Sequence, residues 1–227
     1  MYRLITANRN YSSWSLRPWI LMRELGITFE DVLEPFARSV NYDAFRAFSP
    51  TGMVPCLQDG PRTLWDSLGI ALYLGERHPG VWPADEEARS WAYCAVAEMH
   101  SSFAALRNAC TMNIGVRVQP HPASPALAKD IARIAELWGE GLQRFGGPFL
   151  AGDSFSAADA FYAPVAFRVR TYGLDVGARA GEWVEHMLAL PGMRAWEAAA
   201  LQEEWREQDH EAELAASGTV IADYRRR

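Results

Sequence analysis

Ser49–Leu74 reads SPTGMVPCLQDGPRTLWDSLGIALYL and carries a Val-Pro step, a hairpin and a helix start in succession. Val54 stands before Pro55, so its backbone is pushed to an extended conformation. A proline that opens a strand is tolerated there, because its missing N–H costs nothing. Val54–Leu57 and Thr63–Trp65 read as the two strands of a hairpin turning at Asp59-Gly60-Pro61. Asp66–Arg77 then reads as a helix with Ile70, Tyr73 and Leu74 on one face. A cis proline here would leave the N–H and C=O of Val54 facing outward, free to take a peptide backbone by strand addition. An ordinary X-Pro turn is the alternative. Asp66-Ser67 is either a plain cap or a seat for a carboxylate at a helix N-terminus.

Upstream, residues 2–7 (YRLITA) read as a strand, followed by a Ser-rich loop at Asn10–Ser13. A helix begins near Ser15, with Leu16, Trp19 and Ile20 at i, i+3 and i+4. Pro18 falls in its first turn, where the missing N–H has no partner to lose. Thr28–Leu33 reads as a strand and Asp43–Phe48 as a short helix. The order β-α-β-α-β-β-α suggests a mixed sheet covered by helices. In Tyr11-Ser12-Ser13-Trp14-Ser15-Leu16-Arg17, clustered hydroxyls precede a helix N-terminus, where the dipole favours an anion. Capping by Ser13 or Ser15 is the other reading.

Downstream, His78–Pro83 is a turn-rich linker, and no strand is expected beyond it. Helices are expected over Glu86–Cys110, Pro125–Phe145, Ser156–Tyr172, Gly181–Leu190 and Met193–Trp205. Ser156-Ala157-Ala158-Asp159 is a capping-box pattern with Asp for the usual Glu or Gln. Glu203, Glu204, Glu207, Asp209, Glu211 and Glu213 read as a solvated, fraying acidic run. The terminal Arg225–Arg227 is too short for a nucleic-acid site.

The chain has 227 residues, 49% hydrophobic and 22% charged, with a net charge of −6 that lies entirely beyond residue 80. That composition supports a packed core and lacks the basic footprint of a nucleic-acid binder. No apolar run approaches the ~18 residues of a membrane span. No secretory signal is visible at the N-terminus, which points to the cytoplasm. Three cysteines without CxxC fit a reducing compartment, and five histidines without ligand spacing suggest no metal site.

Together, the Ser loop, Ser49–Gly60, Leu64–Leu74 and AGDSFSAADAFYAPV (Ala151–Val165) resemble the cytosolic glutathione transferases over nearly the whole chain. The Ser-Ser-x-Ser-x-Arg run is most similar to the bacterial serine-type members, zeta-like with theta more distant. Trp14 stands where the zeta pattern has Cys.

The resemblance implies a thioredoxin-like α/β domain (βαβαββα) over residues 1–78, which binds glutathione. An all-α domain over 86–227 would contribute the electrophile site. It places Ser12 beside the glutathione sulfur, with Ser13 second and Tyr11 competing. Val54 and Pro55 would hold the cysteinyl portion, and Asp66 and Ser67 the γ-glutamyl end. Glutathione is then the co-substrate, with no metal, and a homodimer is implied.

His100, Phe103 and Arg107 share one face of the expected 86–110 helix and would suit a planar or acidic electrophile. The implied activity is thiolate attack on a small electrophile. A glutathione-dependent isomerase of the maleylacetoacetate type, a dehalogenase, and a non-catalytic binding or assembly module are the alternatives.

Overall fold

The computed structural model describes residues 1–36 and 41–226. A four-stranded sheet of order β2-β1-β3-β4 forms from β1 (Tyr2–Thr6), β2 (Phe29–Leu33), β3 (Cys56–Asp59) and β4 (Arg62–Leu64). β1 runs parallel to β2 and antiparallel to β3, with Ile5 opposite both Val32 and Cys56. A parallel neighbour requires a crossover, supplied here by α1 (Ser13–Glu24). Short α2 (Asn41–Arg46) precedes the hairpin, and α3 (Ser67–Gly75) follows it.

α1 begins two residues earlier than its periodicity suggests. Pro18 therefore sits inside the helix and deprives the Trp14 carbonyl of its usual i+4 donor. Leu16, Ile20 and Leu21 are fully buried, each side chain stabilising the fold by about 2 kcal/mol. α1 packs on α7 (Ala157–Tyr172) and α9 (Pro191–Gln202), where Trp19 meets Trp196 edge to face at 5.0 Å.

The second half is mainly helical, with α6 at Pro125–Phe145 and α8 at Ala178–Ala189. Three features depart from the sequence reading. The expected 86–110 helix is broken into α4 (Glu86–Ser101) and α5 (Ala104–Ala109). Phe103 lies between them in the left-handed region at φ 61°, so Arg107 does not share a face with His100.

A two-stranded antiparallel ribbon joins β5 (Val116–Pro120) to β6 (Gly218–Asp223) where no strand was expected. The acidic run is not solvated throughout. Glu203 and Glu207 are buried, and Glu207 caps α10 (Gln208–Ser217) by accepting from the His210 N–H. Among the described residues, no helix is long and apolar enough to cross a membrane.

Candidate active site

A cavity of 420 Å³ opens where the Ser loop, the Met53–Val54 turn, α5, α7 and α10 converge. Its loop wall carries Ser12 and Ser13 at the start of α1. Ser12 is the N-cap, yet its side chain accepts no helix N–H. Its hydroxyl donates instead to Ser15 Oγ at 2.7 Å, and Ser15 Oγ accepts from the Ala7 N–H at 3.3 Å. The Ser13 N–H donates to the Tyr11 carbonyl at 2.9 Å, and no side chain caps the other amides of the first turn. Tyr11 also lines the wall, but its hydroxyl donates to Glu211 Oε1 at 2.7 Å. Burial, then Glu211, raises the Tyr11 phenol above its ordinary range.

Val54 lies on the same cavity, joined to Pro55 by a cis peptide bond, while Pro55 is buried behind it. Cys56 is buried in β3, its thiol pushed up to about 11 by desolvation, which makes it a poor nucleophile.

Asp66 and Ser67 start α3 away from the cavity lining. Asp66, and not Ser67, is the N-cap: its Oδ1 accepts from the Leu68 N–H at 2.8 Å and the Gly69 N–H at 3.4 Å. Its Oδ2 lies 3.4 Å from His100 Nε2. Ser67 is buried, and Arg17 Nη1 approaches its hydroxyl at 3.5 Å. Trp14 joins the two groups of residues. It lines the cavity, carries the Arg17 guanidinium 4.0 Å over its ring, and meets His100 edge to face at 5.4 Å.

The expected electrophile trio is dispersed. Arg107 lines the cavity, with its guanidinium 5.6 Å from the Trp14 ring and donating to the Met99 carbonyl. His100 is turned toward Asp66, and Phe103 is buried against Tyr162. The break before α5 is the physical reason.

Arg168 on α7 takes their place on the floor of the cavity. It is 4% exposed and donates to the carbonyls of Cys110 at 2.7 Å and Pro164 at 3.4 Å. Among the described residues no carboxylate pairs with Arg17, Arg107 or Arg168. Burial, then Arg168 and Arg107, lowers Arg17 to about 9, and burial lowers Arg168 to about 10. All three remain cations at neutral pH. Desolvation lowers His100, reinforced by Arg17 and Arg107 and opposed by Asp66. Arg168 had a sequence signal, since it is a lone charge inside the apolar stretch Ala160–Val169.

A mixed β2-β1-β3-β4 sheet followed by a mainly helical half, with a hydroxyl loop and the cis Val54-Pro55 step on one cavity, defines a thioredoxin-like domain joined to a helical one. Residues 11–77 match the family model for the glutathione S-transferase N-terminal domain, and residues 119–199 that for the C-terminal domain. A zeta class glutathione S-transferase from Euphorbia esula is 31% identical over 157 residues, covering 67% of this chain and 70% of that one. Human glutathione S-transferase theta-1 is 28% identical over 197 residues, covering 80% and 76%. A crystal structure of a glutathione transferase homolog from Burkholderia with bound glutathione shares the fold, with TM-score 0.66 at 22% identity over 88% of this chain and 97% of that one. The chain belongs to the glutathione S-transferase family.

Proposed function

We propose that the protein is a glutathione transferase in which Ser12, with Ser13 beside it, stabilises the glutathione thiolate for attack on a small electrophile. The observation that carries this reading is the pair of loop hydroxyls on the same cavity as Val54 and the uncapped start of α1. Tyr11 is the weaker competitor, because its proton is held by the Glu211 carboxylate, whereas the Ser12 hydroxyl is held only by the neutral Ser15 hydroxyl. Val54 and Pro55 would hold the cysteinyl portion of glutathione, and Asp66 and Ser67 its γ-glutamyl end. Residues 1–78 supply that half of the site and 86–227 the electrophile side.

A free thiol titrates near ~8.5, and lowering it by about two units takes about 2.7 kcal/mol of preferential anion stabilisation. A hydroxyl donating to S⁻ contributes about 1.5–3 kcal/mol, and a helix N-terminus adds about 0.3–1 kcal/mol. The thiol proton leaves to solvent. The thiolate pair then forms a C–S bond, and the leaving group departs with its own electron pair. Arg107 and Arg168, cationic and without carboxylate partners, favour an electrophile that carries an acid group. The reading extends to a cytoplasmic, detoxifying homodimer built on α3 and α4, where Leu72 and Tyr93 are exposed.

Calorimetry with reduced glutathione, followed by conjugation of an aromatic halide, tests the proposal. The Ser12→Ala/Ser13→Ala variant is expected to keep glutathione affinity within about threefold and to lose about 100-fold in turnover. Undiminished turnover overturns the serine assignment, and absence of binding overturns the glutathione reading. An isomerase would turn over its substrate without consuming glutathione.

A further inference from the structure

The proposed catalytic loop is tied to both halves of the chain, and its most distant ties come from residues 196–211. Its local backbone bonds run from the Tyr11 and Ser12 N–H groups to the Asn8 carbonyl, from the Ser13 N–H to the Tyr11 carbonyl and from the Leu16 N–H to the Ser12 carbonyl, while the Ile114 N–H donates to the Asn10 carbonyl at 3.3 Å. The first half adds the Phe36 N–H on Asn8 Oδ1 at 2.7 Å, Arg9 on Asp31 at 2.6 Å and Ser12 on Ser15 Oγ, and the second half supplies the long-range ties. Glu203 accepts the Arg9 N–H at 2.6 Å and the Asn10 N–H at 3.2 Å. Trp196 Nε1 donates to the Arg9 carbonyl at 2.8 Å, and the Gly115 N–H to Asn10 Oδ1 at 3.0 Å.

Glu211 then takes the Tyr11 hydroxyl at 2.7 Å and Asn113 Nδ2 at 3.3 Å, and is paired with Arg225. Arg225 is fixed in turn by Asp223 and lies across Gly115, where a Cβ would overlap its side chain. The neighbouring His210 ring is stacked between Tyr11 at 4.9 Å and Phe36 at 5.1 Å. Glu203, His210, Glu211, Asp223 and Arg225 lie beyond position 199, where the match to the C-terminal family model ends.

We infer that Glu211 is a positioning residue: through Tyr11 it fixes the serine loop in the geometry that meets the sulfur, with Arg225 holding Glu211 in register. The inference rests on the proposed serine function. Ser12 follows Tyr11 directly, so a shift of the Tyr11 ring moves the hydroxyl that must face S⁻. Asp66, Ser67 and Val54 receive no bond from Glu211 or Arg225, so glutathione binding does not depend on this anchor. A displacement of a catalytic group by about 1 Å is enough to cost a large part of the rate.

Glu211→Ala and Tyr11→Phe, each in the full chain, test it. Four measurements apply: glutathione affinity by calorimetry, turnover, ultraviolet titration of the bound thiolate, and amide exchange over residues 9–13. Both variants are expected to keep affinity within about twofold, to lose about tenfold in turnover, and to titrate the bound thiol about one pH unit higher. Exchange over 9–13 should rise in both, with or without glutathione.

If Tyr11 itself served the sulfur, Glu211→Ala would release its hydroxyl and raise turnover, which overturns the inference. Unchanged thiol titration and exchange overturn it too, as does a fall in affinity matching the fall in turnover. If the native protein binds no glutathione, the proposed function fails, and the exchange data alone still decide whether Glu211 anchors the loop.

Discussion

The starts of α3 and α7 each carry an acid, Asp66 as the N-cap itself and Asp159 as the N3 residue of a capping box with Ser156, and the two acids end in opposite states. At α7, Asp159 is 0% exposed, and its carboxylate accepts from the Leu150 N–H, the Ser156 N–H and hydroxyl, and Trp183 Nε1. Every acceptor is engaged, so nothing is left for a ligand. At α3, Asp66 has one oxygen on the helix amides, while the other faces His100 with the side chain 54% exposed. An acid at a helix start is structural when its lone pairs are spent inside the protein, and available for binding when they are not.

Four measurements sharpen or break that contrast. Asp159→Ala strands several buried donors and should cost about 3–5 kcal/mol in urea unfolding. The second concerns pH. Burial pushes the Asp159 carboxyl up to about 6 from an ordinary 3.8, against the pull of its donated hydrogen bonds. The folded state therefore binds the proton more readily. The contribution is present in full below about pH 4 and is lost as pH rises through 6, by about 2–3 kcal/mol. A urea series across that range should show the slope, and Asp159→Asn should remove it.

Asp66→Ala should behave in the reverse sense. It loses only about 1 kcal/mol of stability as a missing cap but about 30-fold in glutathione affinity by calorimetry, or about 2 kcal/mol. Equal behaviour of the two acids would end the distinction. The smallest effect is expected at Arg107→Ala, about fivefold in kcat/KM for a carboxylate-bearing electrophile, or about 1 kcal/mol. A neutral electrophile should be nearly unaffected, and equal losses for both would remove Arg107 as an acid reader.

Much of the first half is written locally. The Val54-Pro55 step, the Asp59-Gly60 turn and the Asp66 cap are each decided by a few adjacent residues, and their elements follow within a residue or two. α6 matches its periodicity from Pro125 to Phe145 because one apolar stripe runs its full length.

What stayed hidden depends on distant partners. β5 and β6 are short, and each becomes a strand only by pairing across about a hundred residues. The Phe103 break is set by packing against Tyr162 and by the Leu106 N–H bonding to Asp130, not by a helix-breaking residue type. Glu203 and Glu211 look like solvated charge until the amides and phenol that they accept from are brought to them. Arg168 was visible as a charge in an apolar helix, but its place on the cavity floor follows only from how α7 faces α1.

The contact between Glu203 and Arg9 spans 194 residues. The loop is synthesised well before its acceptor, and early segments organise before later ones emerge. A nascent chain that has built its sheet and most of its helices still has solvent-facing amides at Arg9 and Asn10. Fixation of the serine loop is thereby deferred until the segment that carries Glu203 has been made, after the scaffold around it has formed.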